Sequence, residues 1–126
     1  MIGILVDTSV WIDYFKGGQN SVDLGVLIDE NLVVTNDLIL AELVPYLRIK
    51  KQFTVIRLLQ EISRIPMRIN WHEIIELQVK CLKTGANGVG IPDLIIAQNA
   101  KANNCSIYSL DKHFRLLKQI MKIELY

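Results

Sequence analysis

ILVDTSVWIDYFKGG, residues 4–18, changes character twice. Ile4-Leu5-Val6 is a short apolar run of the kind that fills a buried strand. It runs straight into Asp7-Thr8-Ser9, a carboxylate and two hydroxyls. Apolar residues with helical spacing follow and stop at Gly17-Gly18. A buried strand that ends on polar groups has brought those groups to an edge of the core for a reason.

Outward from that stretch, short β-like runs alternate with helical patterns. The expected strands are 3–6, 32–35, 66–69, 105–109 and 122–125. The expected helices cover about 10–16, 22–30, 37–49, 52–63, 71–83, 92–102 and 112–118. Asn70 with Glu73 resembles a capping box, and Gly85 suits the end of that helix. Pro92 fits a first helical turn, where its missing N–H costs nothing. Pro45 is expected to kink or break its helix. Strands separated by helices imply an α/β fold, a parallel sheet covered on both faces. In such a sheet strand ends and helix starts share one edge, and ligands bind there, where strand order reverses.

Four acids fall on that edge. Asp7 ends the first strand and Asp111 follows the fourth. Asp93 stands beside Pro92 at a helix start. Glu42 lies just over one turn into its helix and can lean back, because helical side chains tilt toward the N-terminus. Asp7 or Asp111 alone could be a helix cap, and Asp93 could complement a helix dipole. Glu42 resists such an explanation. Its helical neighbours are Leu38, Ile39, Pro45 and Tyr46, and an ionised acid in apolar surroundings needs a partner. Two unit charges about 5 Å apart repel by roughly 3 kcal/mol at an effective dielectric of 20. Converging acids therefore call for protons or cations. Oxygen-only donors select hard ions, Mg²⁺ or Mn²⁺, which suit phosphate chemistry.

Asp7-Thr8-Ser9 after a first strand, Glu42 in LILAELV, Asp93 in IPDLIIAQNAK and SLDKHF at 109–114 together resemble a PIN domain, and within it the VapC-type toxin ribonucleases. The resemblance spans nearly the whole chain. It implies one PIN domain over 1–126, a three-layer α/β/α fold and a five-stranded parallel sheet ordered 3-2-1-4-5. It implies Mg²⁺- or Mn²⁺-dependent endonucleolytic cleavage of RNA, with Asp7, Glu42, Asp93 and Asp111 as catalytic metal ligands. Ser9 and Ser109 match hydroxyl positions that support the cluster. The mechanism expected from it is in-line attack of a metal-bound water on phosphorus, to leave a 3′-hydroxyl and a 5′-phosphate. No side-chain nucleophile is needed, so His72 and His113 are expected to have surface or packing roles. The resemblance further implies a homodimer and a small antitoxin partner that silences the site. Val44, Leu47, Ile56 and Leu59 are candidates for such interfaces, with core packing as the plainer role.

Other functions fit less well. A haloacid-dehalogenase phosphatase needs a second Asp two positions after the first, where this chain has Ser9. A response-regulator receiver needs an Asp ending its third strand, expected here at Ile69-Asn70. The rival from another class is a non-catalytic PIN module that binds RNA or protein. Loss of an acid would favour it, and all four acids are present.

Net charge is +1, with 51% hydrophobic and 21% charged residues, an ordinary globular balance. The charge is unevenly spread. Residues 1–45 sum to −6, residues 46–70 to +5 and residues 101–126 to +3. Lys112, Arg115 and Lys118 on the last helix, and Arg48, Lys50 and Lys51, are candidate phosphate contacts. The absence of a basic leader before Asp7, of any apolar run of membrane-spanning length and of a CxxC pair at Cys81 and Cys105 suggests a cytoplasmic protein with reduced thiols and no membrane partner.

Overall fold

Ile4–Val6 (β1) is buried at every position, so both faces of this strand are covered. The computed structural model describes residues 3–126. After β1 come α1 (Thr8–Phe15), α2 (Leu24–Asp29), β2 (Val33–Thr35), α3 (Asp37–Ile49) and α4 (Phe53–Glu61). Then follow β3 (Ser63–Arg64), α5 (Trp71–Lys83), α6 (Ile91–Ala102), β4 (Ser106–Tyr108) and α7 (His113–Lys118). The strands are parallel and ordered β3-β2-β1-β4. The order reverses between β1 and β4, whose register pairs Val6 with Tyr108. The residues that follow, Asp7 and Ser109, are therefore neighbours.

The sheet has four strands among the described residues, not the five that the resemblance implied. The segment 122–125 makes only one parallel bridge, Leu125 with Ile107. The Ile123 amide is used locally, donating to the Met121 carbonyl at 3.0 Å, so it is not free to extend a ladder. The third strand also lies earlier than the expected 66–69. Ile65 still donates to the Thr35 carbonyl at 2.9 Å. Pro66 follows, has no N–H, and ends the pairing.

Pro45 does not break α3, which runs unbroken from Asp37 to Ile49. Proline deprives the carbonyl four residues back of its donor. That carbonyl belongs to Ala41, which like Pro45 is exposed, so water can satisfy it. The opposite face of α3, with Ile39, Leu43 and Leu47, is fully buried. Burial of such side chains stabilises by about 1.5–3 kcal/mol each, enough to hold the helix through one missing bond.

α1 packs on α3 and α3 on α4, whereas α5 and α7 pack on α6. Right-handed crossovers put these two groups on opposite faces of the sheet, because the chain moves one way from β1 to β3 and back to reach β4. α6 is the most enclosed helix, buried from Leu94 through Ala100. Its Asn99 accepts a buried hydrogen bond from the Asn36 side-chain amide at 2.8 Å and donates to the Pro66 carbonyl at 2.8 Å. The Asn36 carbonyl oxygen in turn caps α3, accepting from the Ile39 amide at 2.8 Å.

The capping box expected at α5 is half formed. Asn70 accepts from the Glu73 amide at 3.1 Å, but Gln98 rather than Glu73 accepts from the Asn70 amide. Gly85 has φ +81°, as a helix-ending glycine should. Cys81 and Cys105 are free and buried. Among the described residues no helix is long and apolar enough to cross a membrane.

Of the apolar interface candidates, Leu47, Ile56 and Leu59 belong to the core and Val44 is half-buried against it. Replacing Leu47 with alanine should therefore lower unfolding stability by about 2–5 kcal/mol. Chemical denaturation of Leu47→Ala measures this; a change below about 1 kcal/mol would assign the side chain to the surface.

Candidate active site

Asp7 caps α1 and is 7% exposed. Its Oδ2 accepts from the Ser9 amide at 3.4 Å, the Ser9 hydroxyl at 2.8 Å and the Ser109 hydroxyl at 2.9 Å. Both hydroxyls are themselves anchored. The Leu110 amide donates to Ser9 Oγ at 3.0 Å, and the Asp111 amide donates to Ser109 Oγ at 3.0 Å. The end of β1 and the loop after β4 are thereby tied together through one carboxylate oxygen. The capping role and the cluster role of Asp7 coexist, one on each side of the same group.

Glu42 stands on the exposed face of α3, in a more open setting than its apolar sequence neighbours suggested. Its Oε1 accepts from the Thr8 hydroxyl at 3.3 Å. Asp93 opens α6, with Oδ2 accepting from the Gly90 amide at 3.1 Å, the acidic half of a capping box. Asp111 Oδ1 accepts from the His113 amide at 2.9 Å. The imidazole Nδ1 of His113 lies 3.2 Å from Asp93 Oδ2 and 3.2 Å from Asp111 Oδ1.

One pattern recurs in all four acids. One oxygen of each is held by protein donors: Asp7 Oδ2, Glu42 Oε1, Asp93 Oδ2 and Asp111 Oδ1. Among the described residues no hydrogen bond ends on the other oxygen of any of them. The carboxylates are aimed, and the second oxygen of each is open to water or an ion.

The electrostatics agree. Burial raises the Glu42 carboxyl above its ordinary value; Asp7 raises it next, the Thr8 hydroxyl lowers it, and Asp93 raises it again. Burial also raises Asp93, the Gly90 amide opposes this, Asp111 raises it, His113 lowers it and Asp7 raises it. Asp93 thus lies within reach of the charges of Asp7, Glu42 and Asp111, and Glu42 within reach of Asp7. Donor atoms of Asp93, Asp111 and His113 lie within 4.8 Å of each other, a spacing that one cation can bridge. A mainly carboxylate donor set with a shared charge surplus fits a hard divalent ion.

A family model described as PIN domain matches residues 4–119. The chain belongs to the PIN domain family. PIN domains are generally nucleases and typically depend on divalent metal ions. A comparison with curated proteins finds no match.

In this PIN domain Asp93 and Asp111 meet at His113, Asp7 meets Ser9 and Ser109, and Glu42 meets Thr8. Asp7 and Glu42 lie outside the close donor group of Asp93, Asp111 and His113. Thr8 and His113 are residues that the sequence did not single out for the site. Thr8 holds Glu42. His113, expected to pack or face solvent, joins two of the acids instead. Its position two after Asp111 was the available signal, since a residue that follows a strand-end Asp into a helix turn can fold back on it. Lys112 and Arg115 are exposed on the turn beside Asp111, and Lys118 is exposed at the far end of α7. Arg48, Lys50 and Lys51 are exposed at the C-terminal end of α3. Arg48 is about 9 Å along the axis from Glu42, at 1.5 Å per residue. These cations are outside the cluster.

Raised carboxyl groups bind protons more tightly in the folded chain than in the unfolded one. Their contribution to stability is present below the ordinary value and is lost as pH rises through the raised one. In metal-free protein Glu42→Gln should therefore raise stability at pH 7, by less than about 1 kcal/mol because water screens this exposed site. The gain should vanish below pH 4.5. Melting temperatures across pH, with chelator present, check both halves.

Proposed function

We propose that the chain is a metal-dependent endoribonuclease that hydrolyses RNA phosphodiester bonds. The reading takes residues 1–126 as one PIN unit with Asp7, Glu42, Asp93 and Asp111 as metal ligands. The observation that carries it is the row of carboxylates, each with one oxygen anchored and one left over. An ion held by those oxygens, Mg²⁺ or Mn²⁺, would supply positive charge to the phosphoryl oxygens and lower the pKa of water.

The chain's own residues do the rest. Ser9 and Ser109 keep Asp7 from rotating by holding Oδ2. Thr8 keeps Glu42 turned toward Asp7. Burial and neighbouring acids raise the Glu42 and Asp93 carboxyls, a cost that a bound cation would relieve. Attack in line on phosphorus breaks the bond to the ribose 3′-oxygen, which leaves as a 3′-hydroxyl, and the phosphate stays on the 5′ side. Lys112 and Arg115, exposed beside Asp111, are candidates to meet phosphates flanking the reacting bond; Arg48, Lys50 and Lys51 are candidates for a more distant stretch.

The finer reading is that of a VapC-type toxin, cytoplasmic, paired with a small antitoxin. It rests on the motifs around Asp7, Glu42, Asp93 and Asp111. An antitoxin arginine is a chemically apt inhibitor, since its fork can satisfy the oxygens left over. Homodimer formation belongs to the same reading. Exposed Trp71, Ile75, Val79 and Leu82 on α5 offer apolar surface for it.

Incubating the purified chain with total RNA should yield new 5′-phosphate ends with Mg²⁺ or Mn²⁺ and none with chelator. Asp7→Asn should lose more than about 100-fold in rate, beyond the 10–100-fold typical of a group that only orients a ligand, while Asp29→Asn, at an exposed acid outside the cluster, keeps full activity. Intact cleavage by Asp7→Asn, or stabilisation of the chain by neither ion, would favour the non-catalytic PIN module.

Charge reversal at Lys112 and Arg115 should weaken RNA binding and flatten its dependence on salt by about 0.7 per lost phosphate contact. Unchanged salt slopes in filter-binding titrations would remove both residues from the RNA path.

A further inference from the structure

The loop between α5 and α6 approaches the acids from a side that no strand supplies. A Cβ added at Gly88 would lie 2.9 Å from His113 Nε2. On the other edge of the same ring, Nδ1 faces Asp93 Oδ2 and Asp111 Oδ1, both at 3.2 Å. The imidazole is thus wedged between backbone and two carboxylates, with 25% of its side chain exposed. Both oxygens it meets are already anchored, Asp93 Oδ2 by the Gly90 amide and Asp111 Oδ1 by the His113 amide.

We propose that His113 is a positioning residue whose Nδ1 bridges Asp93 and Asp111, and that Gly88 is the glycine that admits its ring. The assignment rests on the metal-dependent reading above. His113 acts from behind the carboxylates rather than as a ligand. Its Nδ1 lies 3.2 Å from the oxygens that face the protein and leaves Asp93 Oδ1 and Asp111 Oδ2 for the ion. It also links the start of α6 to the loop after β4, two segments that otherwise carry like charges toward each other. Partners that orient metal ligands in this way typically contribute 10–100-fold in metal affinity.

Asparagine can place an amide N–H close to the position of Nδ1, whereas glutamine carries its amide one atom farther out. Mn²⁺ affinity, measured by calorimetry on the full chain, should fall at least about tenfold in His113→Ala and His113→Gln and stay near wild type in His113→Asn. Gly88→Ala should weaken Mn²⁺ binding by crowding the ring. The double variant Gly88→Ala/His113→Asn should recover it, because asparagine lacks the ring edge that Gly88 faces. Metal-free melting temperatures confirm that each variant is folded. Electron spin-echo spectra of bound Mn²⁺ should show no directly coordinated imidazole nitrogen. Wild-type affinity in His113→Ala, equal loss in His113→Asn and His113→Ala, or a coordinated imidazole would each overturn the assignment while leaving the nuclease reading intact. Failure of the wild-type chain to bind Mn²⁺ would overturn both.

Discussion

Mutual repulsion among carboxylates is the constraint around which this molecule is arranged. Four acids from separate segments share one edge of the sheet, and two of them hold their protons more tightly than an isolated carboxyl does. Nothing about the acids themselves favours this grouping. It is imposed by parallel topology, which sends β1 and β4 out of the core side by side and starts α3 and α6 at the same edge. The buried apolar core supplies the free energy that keeps the charges together. Donors on one oxygen of each acid then fix its direction.

Much of this was legible in the sequence because it depends on local signals. Apolar Ile4–Val6 followed by Asp7 announces a buried strand with a polar end, and Asn70 and Gly85 mark a helix start and stop that the structure keeps. The boundaries that went astray depend on competition for backbone groups. At the third strand, residues 66–69 have the right apolar look, but the pairing amides lie upstream of Pro66. At the C-terminal segment, the Ile123 amide turns back on Met121. At Pro45, the deciding fact was that Ala41 faces water, which no pattern of residue types reveals.

The site was legible to the same degree. Its carboxylates follow from strand ends and helix starts. Their partners do not. Thr8 and Glu42 are 34 residues apart, and Ser109 and Asp7 are 102 apart; only the strand register brings such pairs within hydrogen-bonding range. His113 looked like a helix residue ahead of core Phe114, and its contact with Asp93 depends on how the loop through Gly88 lies. Acidic positions thus mark the candidate edge, while the groups that aim them emerge only from tertiary contacts.

Asn36 and Asn99 meet in the interior, one capping the helix that bears Glu42 and the other lying on the helix that bears Asp93. Amides stay neutral at any ordinary acidity, and no ion competes for a contact so deeply enclosed. The alignment of these two helices is therefore insulated from the ionic weather at the rim.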